Sequence, residues 1–139
     1  MGLTRAELNT AVTGELAGVL TLAGFAATDT SGAMKEVLDR TFRALGVAEA
    51  GLASAMVEDG AEQSAIAFAR YFVLDKAVMA TTSKMNVKAG SASANLREQH
   101  ENLKQQRDEA YATAEVYGLW VLTRMGSYAG IFATVGPRV

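Results

Sequence analysis

Apolar side chains in the opening segment fall at Leu8, Ala11, Val12, Leu16 and Val19, the three-and-four spacing of one helical face. Thr4 stands before them with Glu7 three residues on, an arrangement in which a hydroxyl and a carboxylate each satisfy a backbone N–H at a helix start. The spacing predicts a helix over 4–19. Gly14 and Gly18 lie inside it, each costing about 1 kcal/mol relative to alanine, and their separation by four residues fits close packing against a neighbouring helix. A second helix is predicted over 32–45: Met34, Val37, Leu38, Phe42 and Leu45 form its apolar side, and Lys35, Glu36, Asp39, Arg40 and Arg43 the polar one. Ser31 is placed to cap it and Gly46 to end it. A short helical turn follows over 49–55, and Glu58, Asp59 and Gly60 mark a surface loop.

The third predicted helix, 61–83, differs in kind. Ala65, Ile66, Phe68, Ala69, Tyr71, Phe72, Val73, Leu74, Ala77, Val78 and Met79 surround its axis, so it belongs at the centre of the fold, with Phe68 and Phe72 in the core. Arg70, Asp75 and Lys76 interrupt it and must reach either water or a partner, because an unpaired buried charge costs several kcal/mol. The helical period breaks between 84 and 95, where Met85, Val87 and Ala89 against Ser91, Ser93 and Asn95 fit either a small hairpin around Gly90 or an irregular loop. The last helix is predicted over 96–117 on a seam of Leu96, Leu103, Ala110 and Tyr117, with Tyr111 and Ala114 beside it and the polar His100 and Arg107 as companions. A stripe that narrow leaves most of the helix in solvent. Arg97 with Glu101 and Lys104 with Asp108 are spaced as ion pairs along it.

Beyond 117 the pattern has no clean period. Leu119, Trp120, Val121, Leu122, Met125, Tyr128, Ile131 and Phe132 are dispersed among glycines and serine, with Arg124 and Arg138 as the charges and no acidic residue. Glycine and Pro137 disfavour a continuous helix, so 118–139 is expected to leave the helical domain as an extended arm whose apolar residues something must cover. The expectation is an all-α fold: a small bundle of about four helices in 1–117 with a buried central helix, followed by the C-terminal arm.

A chain of 139 residues that is 50% hydrophobic has the material for one core and not two. Its 13 basic and 15 acidic side chains leave a net charge of −2, without the basic excess of a nucleic-acid binder. With no cysteine, disulfides, thiolate metal sites and cysteine nucleophiles are excluded. The uncharged stretch from Leu16 to Thr28 covers 13 residues, short of the roughly 20 that span a bilayer. Arg5 and Glu7 precede any apolar run, unlike the order in a secretory leader, which points to synthesis in the cytoplasm.

The motifs of nucleotide, hydrolase and zinc-protease chemistry are missing from the sequence. His100, the one conventional general base, sits between Gln99 and Glu101 and is expected to be solvated. Neither enzymatic activity nor a cofactor or metal is expected.

Four segments in order carry a resemblance: the opening L-T-R-A-E-L, the central A-R-Y-F-V-L-D-K, K-M-N-V-K-A-G-S-A-S-A-N-L, and the long R-E-Q-H-E-N-L-K-Q-Q-R-D-E-A-Y-A-T-A. Over residues 3–117 the chain resembles the head–tail connector, or adaptor, proteins of tailed bacteriophages. Its Ala- and Ser-rich 89–94 stretch departs from the firmer β-branched hairpin common there. The resemblance implies a structural subunit of the virion neck: a homo-oligomeric ring, twelvefold in that family, beneath the portal protein. Such a ring contacts other neck or tail-completion proteins and extends a channel through which genomic DNA passes without sequence-specific binding, and no membrane is involved. On that reading Trp120, Tyr128 and Phe132 anchor the arm on the portal or an adjacent subunit, and Arg124 and Arg138 answer acidic groups there. Arg97, Arg107 and Asp108 on the last helix make contacts between subunits. The competing expectation is a free-standing regulatory or chaperone-like helical bundle whose arm folds back on its own core.

Overall fold

The computed structural model of the protein describes residues 2–87 and 94–117, the side chains of 85–87 and 94–95 excepted. Leu3–Thr4 is a two-residue strand, β1, and Thr4 also caps the first helix, α1 (Arg5–Glu15). The Thr4 hydroxyl accepts from the Glu7 N–H at 3.1 Å and the Glu7 carboxylate accepts from the Thr4 N–H at 2.9 Å, the reciprocal pair that the sequence predicts. The helical path does not stop at 19. It breaks at Leu16 and resumes as α2 (Ala17–Ala23), because Leu20 and Ala23 are buried against the rest of the core and reward the extra turn. Gly14 and Gly18 are not a packing notch: a Cβ at either would meet nothing within 4 Å. They lie on the exposed side of the bend, away from the face that packs.

Helix α3 (Gly32–Ala44) buries Met34, Val37, Leu38 and Phe42, as its period requires. Ser31 occupies the cap position, but its side chain makes no capping hydrogen bond, which corrects the role expected of it. The far end closes as anticipated. Gly46 has φ +93°, a left-handed conformation that glycine adopts without strain, and the N–H groups of Gly46 and Val47 return to the carbonyls of Arg43 and Phe42 at 2.9 Å each. A 3-10 turn over Glu49–Ser54 leads to β2 (Met56–Val57), which pairs antiparallel with β1, Leu3 opposite Val57 and Thr4 opposite Met56. Gly2 permits this ribbon, since a Cβ there would stand 1.8 Å from the Val57 carbonyl oxygen.

Helix α4 (Glu62–Val87) is the central element, packed against α1, α2, α3 and the final helix, α5 (Ala94–Val116). Phe68 and Phe72 are both buried, as predicted. One group of core side chains joins α1, α3 and α4 through Leu8, Val12, Val37, Phe42 and Phe68; a second joins α2, α4 and α5 through Ala23, Leu74, Ala77, Leu103 and Ala110. The strands of a hairpin over 84–95 are not formed among the described residues: α4 runs through Met85 and Val87, and α5 begins at Ala94. Alanine and serine are weak strand formers, and continuing the two helices keeps them in contact. Residues 88–93 between them, and the predicted arm over 118–139, lie outside the described residues.

Two buried polar side chains fix how the helices meet. Arg5, at the start of α1, donates to the carbonyls of Leu52 at 3.1 Å and Lys35 at 3.2 Å and forms an ion pair of 2.9 Å with Asp39 of α3. Asn9 donates to the Ala27 carbonyl at 2.7 Å, holding the 24–31 connection against α1.

Candidate functional site

Tyr71 and Asp75 lie four residues apart on α4, and so do Arg107 and Tyr111 on α5, so each pair shares one face of its helix. The helices bring the pairs together, with the rings of Tyr71 and Tyr111 5.1 Å apart between centroids and tilted by 53°. Arg40 arrives from α3 and lies over the Phe72 ring, 4.2 Å from its centroid. The two guanidiniums then approach the two oxygens of one carboxylate: Arg40 Nη1 is 4.0 Å from Asp75 Oδ2, and Arg107 Nη1 is 4.0 Å from Asp75 Oδ1. Arg107 also reaches Asp108, its chain neighbour, at 3.2 Å. The junction therefore joins two arginines, two tyrosines and an aspartate from three helices. Burial pushes the Tyr71 hydroxyl above its ordinary pKa, the charge of Asp75 and the neighbouring Tyr111 add to the rise, and Arg107 and Arg40 oppose it.

The other two charges that interrupt the middle of α4 are paired across helices. Arg70 meets Glu15 at 2.7 Å, and Lys76 meets Glu36 at 3.2 Å. The interrupting charges of the central helix thus bind it to α1 and α3 as well as to α5. Arg70 lies in a groove of about 410 Å³ between the α1–α2 bend and α5, with Leu16, Leu74, Gln106 and Glu109 among its lining residues, and its Nε is buried without a hydrogen-bond acceptor. A second recess, of about 350 Å³, opens over Arg5, Asp29, Lys35, Asp39 and Glu49. Burial alone would raise the Asp39 carboxyl, but hydrogen bonds and charge from Lys35 and Arg5 outweigh it and hold Asp39 below the usual carboxylate range.

His100 corrects a sequence expectation. It is 7% exposed rather than solvated, and its Nδ1 lies 2.7 Å from the hydroxyl of Thr81, itself fully buried on α4. Its flanking residues are polar because they cover the other faces of α5, whereas position 100 falls on the seam with Leu103 and Ala110. The seam is accordingly wider than the apolar residues alone indicate. Lys104 faces Glu101 at 3.6 Å, one turn back, while Asp108 takes Arg107.

Of the site residues nominated from sequence, Arg107 belongs to the junction, Asp108 flanks it as a second partner of Arg107, and Arg97 is exposed near the start of α5. Trp120, Arg124, Tyr128, Phe132 and Arg138 lie outside the described residues. By its period Arg40 reads as a residue of the polar side of α3; the signal for its inward edge is its position three residues after the buried Val37. At the end of α5, Val116 is 81% and Tyr117 43% exposed, next to the point where the apolar 118–139 segment begins. Among the described residues no helix is long and apolar enough to cross a membrane, and no group of three or more His, Cys, Asp or Glu could hold a metal ion. No protein-family model matches the chain, and comparison with curated proteins and with solved structures returns no match.

Proposed function

We propose that this protein is a structural subunit of a tailed-bacteriophage neck, a head–tail adaptor that assembles as a ring on the portal protein and extends the DNA channel toward the tail. The observation that carries the reading is the form of α5. It buries one seam, leaves its polar girth in solvent, and ends on exposed apolar side chains where a charge-poor aromatic segment follows. Surfaces of this kind suit contacts repeated around an axis, since a head-to-tail interface is complete only when neighbours are present. The order of the four sequence segments supplies the phage assignment, and it is a likeness of pattern. A net charge of −2 suits a channel lining that does not retain DNA phosphates.

In this proposal the 118–139 arm docks on the portal or a neighbouring subunit through Trp120, Tyr128 and Phe132, with Arg124 and Arg138 on acidic partners. Buried interface aromatics commonly lose about 2 kcal/mol or more on truncation. Deleting residues 119–139 is expected to preserve the helical circular-dichroism signal and to abolish attachment to tail-less heads. Attachment by the truncated chain defeats the proposal. Unfolding on truncation would favour the alternative, a free-standing bundle whose arm completes its own core.

A further inference from the structure

We propose that the Arg40–Asp75–Arg107 junction is a receptor for a carboxylate side chain of a partner protein, which enters between the two guanidiniums and takes over the place Asp75 holds. The assignment is independent of the head–tail reading: it requires a protein partner but not a phage one.

Both guanidiniums approach Asp75 only to 4.0 Å, outside hydrogen-bonding range, so one carboxylate is shared loosely by two cations. Arg40 is 40% exposed on its side chain and donates no hydrogen bond among the described residues, although stacking on Phe72 holds its plane in position. A guanidinium fixed in orientation with its N–H donors unspent is preorganised for the planar, two-point recognition of a carboxylate. The paired rings of Tyr71 and Tyr111 add apolar surface beside the junction. Arginine and tyrosine are also the residues on which protein–protein binding energy concentrates.

The surroundings select a single carboxylate over a phosphate chain. Glu36 on α3 and Asp108 on α5 flank the junction, and Glu101 and Glu109 lie along the exposed side of α5. A nucleic-acid backbone would bring several phosphates against these carboxylates, whereas one acidic side chain inserts between the arginines without meeting them all.

The test follows the arginine Nε–H resonances of the full chain during titration with a capped tetraglutamate peptide, with capped tetraglutamine, inorganic phosphate and a short DNA duplex as comparisons. Tetraglutamate should move the Arg40 and Arg107 signals saturably and tetraglutamine should not. Arg40→Gln and Arg107→Gln should each weaken binding about tenfold, the scale of losing a hydrogen bond to a charged group, and Lys104→Gln should leave it unchanged. Arg107 gives Nε and Nη2 to Asp108 and turns Nη1 toward Asp75, so Asp75→Asn, which removes the carboxylate that the two arginines share, should tighten binding several-fold, a gain that a purely structural aspartate would not produce. The proposal fails if Asp75→Asn does not tighten binding, or if Lys104→Gln weakens it as much as Arg40→Gln. It also fails if phosphate or DNA moves the same signals at lower concentration than the peptide. Arg40→Gln decides the matter even if Arg107→Gln unfolds, because Arg40 holds no hydrogen bond that the fold would lose.

Discussion

Arg5 shows how a single side chain organises this protein. Its guanidinium donates to carbonyls of the 3-10 turn and α3 and pairs with the carboxylate of Asp39, so α1, α3 and the 49–54 segment share one cation. Arg5→Ala would leave Asp39 with Lys35 as its remaining cation, and removing one charged hydrogen-bond partner of a buried group typically costs about 1–3 kcal/mol. A loss of that size in urea unfolding is expected, and a loss under about 1 kcal/mol would show the pair to be dispensable. The pH dependence follows from the direction of the Asp39 shift. Because its native pKa lies below its unfolded value, the carboxylate contributes stability well above the ordinary aspartate pKa of about 3.9, and that contribution disappears as pH falls through the lower native value. Asp39→Asn should flatten the acid limb of the stability profile relative to the parent chain; an unchanged acid limb would assign it to other carboxylates.

At the scale of elements, the α4–α5 pair is the largest contact in the fold, and Thr81 with His100 forms a buried polar link within it. The Thr81 hydroxyl also lies 3.1 Å from the Ala77 carbonyl and 3.0 Å from that of Val78, so it bridges its own helix to α5. Thr81→Val would leave a buried imidazole nitrogen without its partner, at about 1–3 kcal/mol. Combining it with His100→Leu should recover part of that loss, since an apolar pair leaves nothing unsatisfied. Additive losses in thermal unfolding would mean that the two side chains act separately. The core makes a simpler demand. Phe72→Ala removes a buried ring that also supports Arg40, and a loss of about 3–5 kcal/mol is expected. The β1–β2 ribbon depends on Gly2, so Gly2→Ala should detach it, seen as faster amide exchange at Leu3 and Val57, with the helices retained.

For the whole molecule, the proposed assembly predicts that Arg107→Glu keeps the helical signal and lowers attachment to portal-bearing heads by about tenfold or more, since placing like charges across an interface costs kilocalories. Undiminished attachment would make α5 a solvated helix and no more. What was legible in the sequence was whatever local spacing determines: the capped start at Thr4, the apolar faces of α1 and α3, the stop at Gly46, and a central helix apolar round most of its middle with Phe68 and Phe72 inside, although Met79 of that set is 63% exposed. Those features follow from a period of 3.6 residues and from backbone geometry within one turn, and no distant residue is needed to read them. Tertiary contact decided the rest. Met85 and Val87 read locally as strand or loop, yet α4 continues through both, and His100 is buried because Thr81 lies opposite it. The junction of Arg40, Asp75 and Arg107 draws on residues far apart in the chain, each reading locally as an ordinary helix charge, and only the packing of α3 and α5 on α4 turns two of them into a pair around the third.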